Sequence, residues 1–212
     1  MMHLETTGVK KCRFHRPPDL LSADILNGMP AVIGFLRGAN VVGNNKIRME
    51  ELRALCESMG LLNAQTYIQS GNVAFRMKGR SVAPLAARIE KAIEMQFGFR
   101  PHVMLRTAEE LRDVITRNPF AKRAHLDSSK FLVYFLKGVP TPEACDKACA
   151  PKTDTEELRF SGNELYIYYL NGVGKSQLPM ARIEKALGIS GTGRNWNTVT
   201  KLLALAEGME PS

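Results

Sequence analysis

The order in which apolar periodicity changes constrains this chain more than any single motif does. Ala31 to Leu36 (AVIGFL) is an apolar run of strand length, closed by Arg37-Gly38. Met49, Leu52, Leu55, Cys56 and Met59 then recur at helical spacing, with Gly60 as the stop. AQTYIQSGNVAFRM reads as two strands about the turn QSGN, where Gly71 and Asn72 can take the unusual dihedrals. Leu85, Ile89, Ile93 and Phe97 mark a second helix followed by Gly98, and PHVMLR is a fourth strand. Strand, helix, strand, strand, helix, strand is the split βαβ order of a ferredoxin-like plait, whose two helices cover one face of an antiparallel sheet. Thr107 and Glu110 predict a capping box for an added helix carrying Leu111, Val114 and Ile115.

The order then starts again. KFLVYFL is a strand, Pro142 to Cys149 a short helix, and EELRF and ELYIYYL are strands about Ser161-Gly162-Asn163. A helix follows with Pro179 in its first turn, Ile183 and Leu187 inside and Gly188 at its end. The fourth strand is expected to be missing or very short, its place taken by a terminal helix from about Trp196 to Glu207. The fold class is therefore α+β: two ferredoxin-like (α/β plait) domains in tandem, antiparallel sheets each covered by helices, plus a C-terminal helix. Residues 30–127 form the first domain and 128–212 the second, the boundary marked by Pro119 and the polar stretch Lys122 to Ser129. Residues 1–29 show no sustained period and contain Pro17-Pro18, so a poorly ordered extension is expected there, with a short amphipathic turn around Leu20 to Ile25 as the alternative.

Charge and cysteine usage narrow the partners. The net charge is +8, and residues 30–127 carry fifteen Lys/Arg against nine Asp/Glu, while the flanking segments hold a surplus of one each. A basic first half favours an anionic partner, a small phosphate-bearing ligand or nucleic acid, without demanding one. The four cysteines do not make a disulfide framework. Cys145 and Cys149 share a helix face at metal-ligand spacing, but no second Cys or His pair follows, so no metal is expected. No apolar run approaches the roughly 20 residues of a membrane span, and the start of the chain lacks the apolar core of a secretory signal. A cytoplasmic protein without a membrane partner is expected, and no cofactor is implied.

The motifs supply binding residues and no reaction. Arg37 ends a strand, and Asn40 and Lys46 follow in a glycine- and asparagine-rich loop before a helix, where backbone N–H groups and a guanidinium gather around anions. Gln69, Ser70 and Asn72 lie in the QSGN turn, which turn chemistry alone would explain. NGVGKSQ ends like a phosphate loop, yet the position of its first glycine is Tyr169, so it is not one. Lys175 and Ser176 on that turn can still hold an anion. In GTGRNWNTVTKL, Asn195 is a helix N-cap, and Trp196, Val199, Leu203 and Ala206 form an apolar stripe. Gly191 and Gly193 turn the chain into that helix. Arg194 is the exception, because a cation beside a helix start is misplaced for the macrodipole unless an anion or carboxylate meets it. The four histidines are scattered, and no nucleophile–base constellation follows from spacing. The aromatic signature of an RNA-stacking sheet is absent, with only Phe35 and Phe75 on the corresponding strands.

RGANVVGNNKIRM, TYIQSGNVAF, NGVGKSQL and GTGRNWNTVTKL together resemble the signatures of the DUF1697 family, over about residues 30–207. Val42 and Gln177 depart from the family pattern, where a second glycine and a basic residue are usual. The resemblance implies paired α/β plaits and no defined activity. The expected function is binding of an anionic, phosphate-bearing ligand through Arg37, Asn40, Lys46, Gln69, Ser70, Asn72, Lys175, Ser176, Arg194 and Asn195. The alternatives are an enzyme acting on a small anionic substrate, with unidentified catalytic residues, and a structural, assembly or nucleic-acid-binding protein. Oligomeric state is left open.

Overall fold

A computed structural model of the chain describes residues 29–40, 45–79, 81–123, 125–150 and 154–209. Of the extension expected over residues 1–29, residues 1–28 lie outside them, and Met29 is buried against the fold. The first half runs β1 (Ala31–Arg37), α1 (Met49–Ser58), β2 (Leu62–Thr66), β3 (Asn72–Arg76), α2 (Ala83–Phe97), β4 (His102–Thr107) and α3 (Ala108–Thr116). The second runs β5 (Phe131–Leu136), α4 (Pro142–Cys149), β6 (Glu156–Ser161), β7 (Glu164–Tyr169), α5 (Met180–Leu187), β8 (Gly191–Asn195) and α6 (Trp196–Glu207). Both sheets are antiparallel, with strand orders β2-β3-β1-β4 and β6-β7-β5-β8. Two ferredoxin-like plaits are thus present, each followed by one extra helix. Among the described residues no helix is long and apolar enough to cross a membrane.

The fourth strand, expected to be missing or very short with a terminal helix in its place, is present as five residues ahead of that helix. Gly191–Asn195 is that strand, paired along β5 from Leu136↔Gly191 to Leu132↔Asn195. Its glycines do not serve to turn the chain. A Cβ on Gly191 would meet the Tyr134 ring at 2.5 Å and the Phe135 carbonyl at 2.6 Å, and one on Gly193 would meet Leu132 at 2.9 Å. Large side chains of β5 lie over β8, and only a strand without its own can pass beneath them. Polar and glycine-rich, the segment hides its period-two pattern.

Strand alternation decides how the halves meet. Val32, Leu36, Val73, Phe75 and Val103 point into a core beneath α1 and α2, while Leu136, Leu165 and Ile167 do the same beneath α4 and α5. The opposite faces do not reach solvent. Ile33, Phe35, Phe131, Val133, Phe135 and Tyr166 join Leu111 and Val114 of α3 and Val199 and Leu202 of α6 in one central core shared by both halves. Phe35 and Phe135 stack there with ring centroids 4.2 Å apart. Helix α6 packs on β1 and β3 as well as on β5 and β8, and the Tyr166 hydroxyl of β7 donates to the Val114 carbonyl of α3 at 2.8 Å. Both added helices therefore contribute to the core that the two sheets share. The capping box at Thr107 forms in full, and the Asn195 side chain caps α6 by accepting from the Asn197 N–H. Trp196 stacks on Phe131 at 4.7 Å, as part of the apolar stripe expected of it. Buried Arg76 donates to the carbonyls of Met29 and Met209, clasping the two ends of the described fold together.

Candidate binding site

Among the polar pairings that cross the seam between the halves, four make up two repeating sets. Arg106 is the next-to-last residue of β4 and Arg194 the next-to-last of β8. The Arg106 guanidinium lies 5.6 Å from the centre of the Phe135 ring, donates to the Leu136 carbonyl at 3.2 Å, and meets Glu164 at the start of β7. Arg194 lies 5.5 Å from the Phe35 ring centre, donates to the Leu36 carbonyl at 2.9 Å, and meets Asn72 at the start of β3. Likewise Arg37, at the end of β1, donates to both carboxylate oxygens of Glu184 of α5 from Nη1 and Nη2, at 2.5 and 2.8 Å. Lys137, just after β5, lies 3.9 Å from Glu90 of α2. Glu184 and Glu90 each also accept a backbone N–H from the neighbouring edge strand, from Gly191 at 2.8 Å and Val103 at 3.0 Å.

These pairings account for several of the expected ligand residues. Arg194 is 7% exposed, and its donors go to the Asn72 amide oxygen, the Thr192 hydroxyl and the carbonyls of Gly193, Leu36 and Ser70. All of these acceptors are neutral, so burial pushes its pKa down to about 10, and it stays charged at neutral pH. Asn72 completes its bonding by donating to the Tyr67 carbonyl at 3.0 Å and to Ser70 Oγ at 2.9 Å. The hydrogen bond to Glu184 holds the Arg37 guanidinium above its usual range. Burial works against the Glu184 carboxylate, but bonds from Arg37, Gly191 and the Tyr134 hydroxyl outweigh it and hold the group below the ordinary range. Arg37, Ser70, Asn72 and Arg194 thus come together as protein-to-protein contacts along the seam.

A different trio surrounds open space. Asn40, Lys46 and Gln69 line a cavity of about 660 Å³ with Arg48, the residue before α1, and Glu50 and Glu51 of its first turn. Asn40 builds its wall in a left-handed conformation, φ 56°. Its side chain donates to the carbonyls of Ile47 at 2.9 Å and Gln69 at 2.8 Å and accepts the Ile47 N–H at 2.8 Å. Lys46 is exposed and has no ion pair among the described residues, whereas Arg48 pairs with Glu51 at 3.1 Å. Arg48 also gives no side-chain bond to the leading N–H groups of α1. Beside Gln69, Ile68 is half exposed at φ 50°, a costly backbone for a β-branched residue.

The remaining expectations lie elsewhere. Lys175 sits in the 3-10 turn Val173–Lys175 after β7, and Ser176 Oγ donates to Glu156 at 2.5 Å, so neither joins the cavity. Asn195 caps α6 and donates to the carbonyls of Ser128 and Ser129. No group of three or more His, Cys, Asp or Glu is placed to hold a metal among the described residues. Sequence reasoning missed Arg106, Glu164, Glu184 and Arg48. One signal was available for Arg106: both halves carry an arginine immediately before a helix cap, Arg106-Thr107 and Arg194-Asn195.

Comparison with known proteins follows the same outline. A family model described as a protein of unknown function, DUF1697, matches residues 29–166. That match ends before Lys175, Ser176, Arg194 and Asn195. No curated protein matches the chain. A solved structure of a conserved bacterial protein, SP0830 from Streptococcus pneumoniae, is similar with a TM-score of 0.68 and 22% identity over 84% of this chain and 99% of that one. At that identity the likeness speaks for the fold alone.

Proposed function

Because the chain belongs to the DUF1697 family, which carries no assigned activity, we propose a function from its own side chains: binding of a small phosphate-bearing anion in the cavity at the start of α1. The observation that carries this is Lys46, a cation with no ion pair among the described residues, on the wall beside helix N–H groups that Arg48 does not cap. Such a helix start offers backbone donors and a favourable dipole to an anion, and a lysine adds the point charge. Gln69 supplies a neutral donor opposite, and the strained Ile68 backbone beside it is the kind of cost that functional loops retain. The ten residues expected from sequence contract to three, Asn40, Lys46 and Gln69. A small ligand is favoured over RNA, because Phe35 and Phe75 are both fully buried and leave no sheet face for base stacking.

Titration with inorganic pyrophosphate followed by phosphorus NMR tests the reading. Saturable binding that Lys46→Ala abolishes is the expected result. Unsaturable binding, or binding indifferent to Lys46, removes it. A second reading, a structural or assembly protein whose motifs serve domain packing, is favoured by one observation: Arg37 and Arg194 are already engaged across the seam.

A further inference from the structure

A second recess lies on the helix side of the first sheet, away from Lys46. It occupies about 550 Å³ where the end of α1 faces the start of α2. Leu61, Met77 and Leu85 form a buried floor, and Met59 and Leu62 form half-buried walls. Two exposed cations, Lys78 and Arg88, line the same recess, and neither has an ion pair among the described residues. Other arginines of this half are matched to carboxylates: Arg48 to Glu51, Arg53 to Glu57, Arg100 to Glu90 and Glu94. An apolar trough bearing two positive charges that no described carboxylate meets asks for a ligand with one apolar and one anionic end.

We propose that this recess binds a single-chain aliphatic carboxylate, the chain lying along Met59, Leu62 and Met77 and the carboxylate meeting Lys78 and Arg88. The volume is that of a small-molecule pocket, whereas a partner protein would need a surface of roughly 800 Å² on this side. Unbranched, polarisable methionine side chains adapt to a flexible alkyl chain. Opposite charge near an apolar floor then sets the direction in which the ligand lies.

The test uses the whole chain with carbon-13 in its methionine methyl groups, titrated with dodecanoate and with dodecanol below micelle-forming concentrations. Dodecanoate should shift the Met59 and Met77 signals saturably, and dodecanol should bind at least about ten-fold more weakly, a difference of one salt-bridge-sized contribution. Lys78→Glu combined with Arg88→Glu should weaken dodecanoate by a similar factor and leave dodecanol unchanged. If the double variant does not fold, the comparison of the two ligands on the natural chain still decides. Equal binding of acid and alcohol, unsaturable shifts, or shifts absent from Met59 and Met77 would overturn the proposal. So would tighter binding of a leucine- and aspartate-rich octapeptide at the same methionines, which would make the recess a peptide site.

Discussion

Arg106 and Arg194 hold equivalent places in the two plaits, and each guanidinium reaches out of its own sheet to the first residue of a strand in the other. Arg106 finds the carboxylate of Glu164 there, and Arg194 finds the amide of Asn72. The two ends of the seam therefore share a geometry and differ in charge.

That difference reverses what position alone suggests for Arg194. As a surface residue its loss would cost about 0.5 kcal/mol or less. Buried as it is, Arg194→Ala leaves the Asn72 oxygen and the Leu36 and Ser70 carbonyls without donors. Water can reach the Ser70 carbonyl, but the other two acceptors are buried, and at about 1–3 kcal/mol for each one left unmet the expected loss is at least about 2 kcal/mol in urea unfolding. Arg194→Lys should recover little, since one ammonium cannot span that set. A loss under about 1 kcal/mol for Arg194→Ala would contradict this assignment.

The two buried-side carboxylates should respond to pH with opposite signs. Glu184 titrates below its ordinary value of 4.5, so the folded chain binds fewer protons there than the unfolded one. Its contribution is present above that value and disappears as pH falls through the folded pKa. Burial holds Glu164 above 4.5 despite Arg106, so its contribution is present below that value and is lost as pH rises through its folded pKa. Urea midpoints across this range should therefore flatten on the acid side for Glu184→Gln and on the neutral side for Glu164→Gln. Parallel curves for wild type and both variants would refute the pairing scheme.

Glycine requirements separate strand from loop. Gly191→Ala places a methyl against the Tyr134 ring and the Phe135 carbonyl and should cost about 1–3 kcal/mol as an overpacked strand. Gly174, with nothing within 4 Å of an added Cβ, should accept alanine at little cost. Thermal melts of the two variants make the comparison, and equal melting points would argue against β8 as described.

Shared packing predicts one unfolding transition. Phe35→Ala empties a site in the central core and should cost about 3–5 kcal/mol. Trp196 belongs to the second half, yet its fluorescence should report the same shift as circular dichroism of the whole chain, because both halves lose the same core. Two transitions, only one of them moved by Phe35→Ala, would show the halves to be independent.

Much of this fold was legible in the sequence because its signals are local. Helices with stripes such as Leu85, Ile89 and Ile93, turns such as QSGN, and the Thr107–Glu110 cap are each read within a few residues. β8 was not, since its pairing surface is made by Tyr134 and Leu132 lying over glycines more than fifty residues along the chain. The site divides the same way. Asn40, Lys46 and Gln69 came out of loop composition, but nothing local distinguishes an arginine awaiting a ligand from one awaiting Glu184 or the Leu36 carbonyl. Only the opposing sheet decides that.

The crossing of α6 onto the first sheet also sets an order of events during synthesis. Ile33 and Phe35 leave the ribosome well before Val199 and Leu202, which help to cover them, are made. Through that interval the nascent first plait carries an apolar sheet face in water, the sort of surface that invites chaperones or aggregation. A translation stop that removes the twelve residues of α6 would therefore strip the interior of the half that was made first.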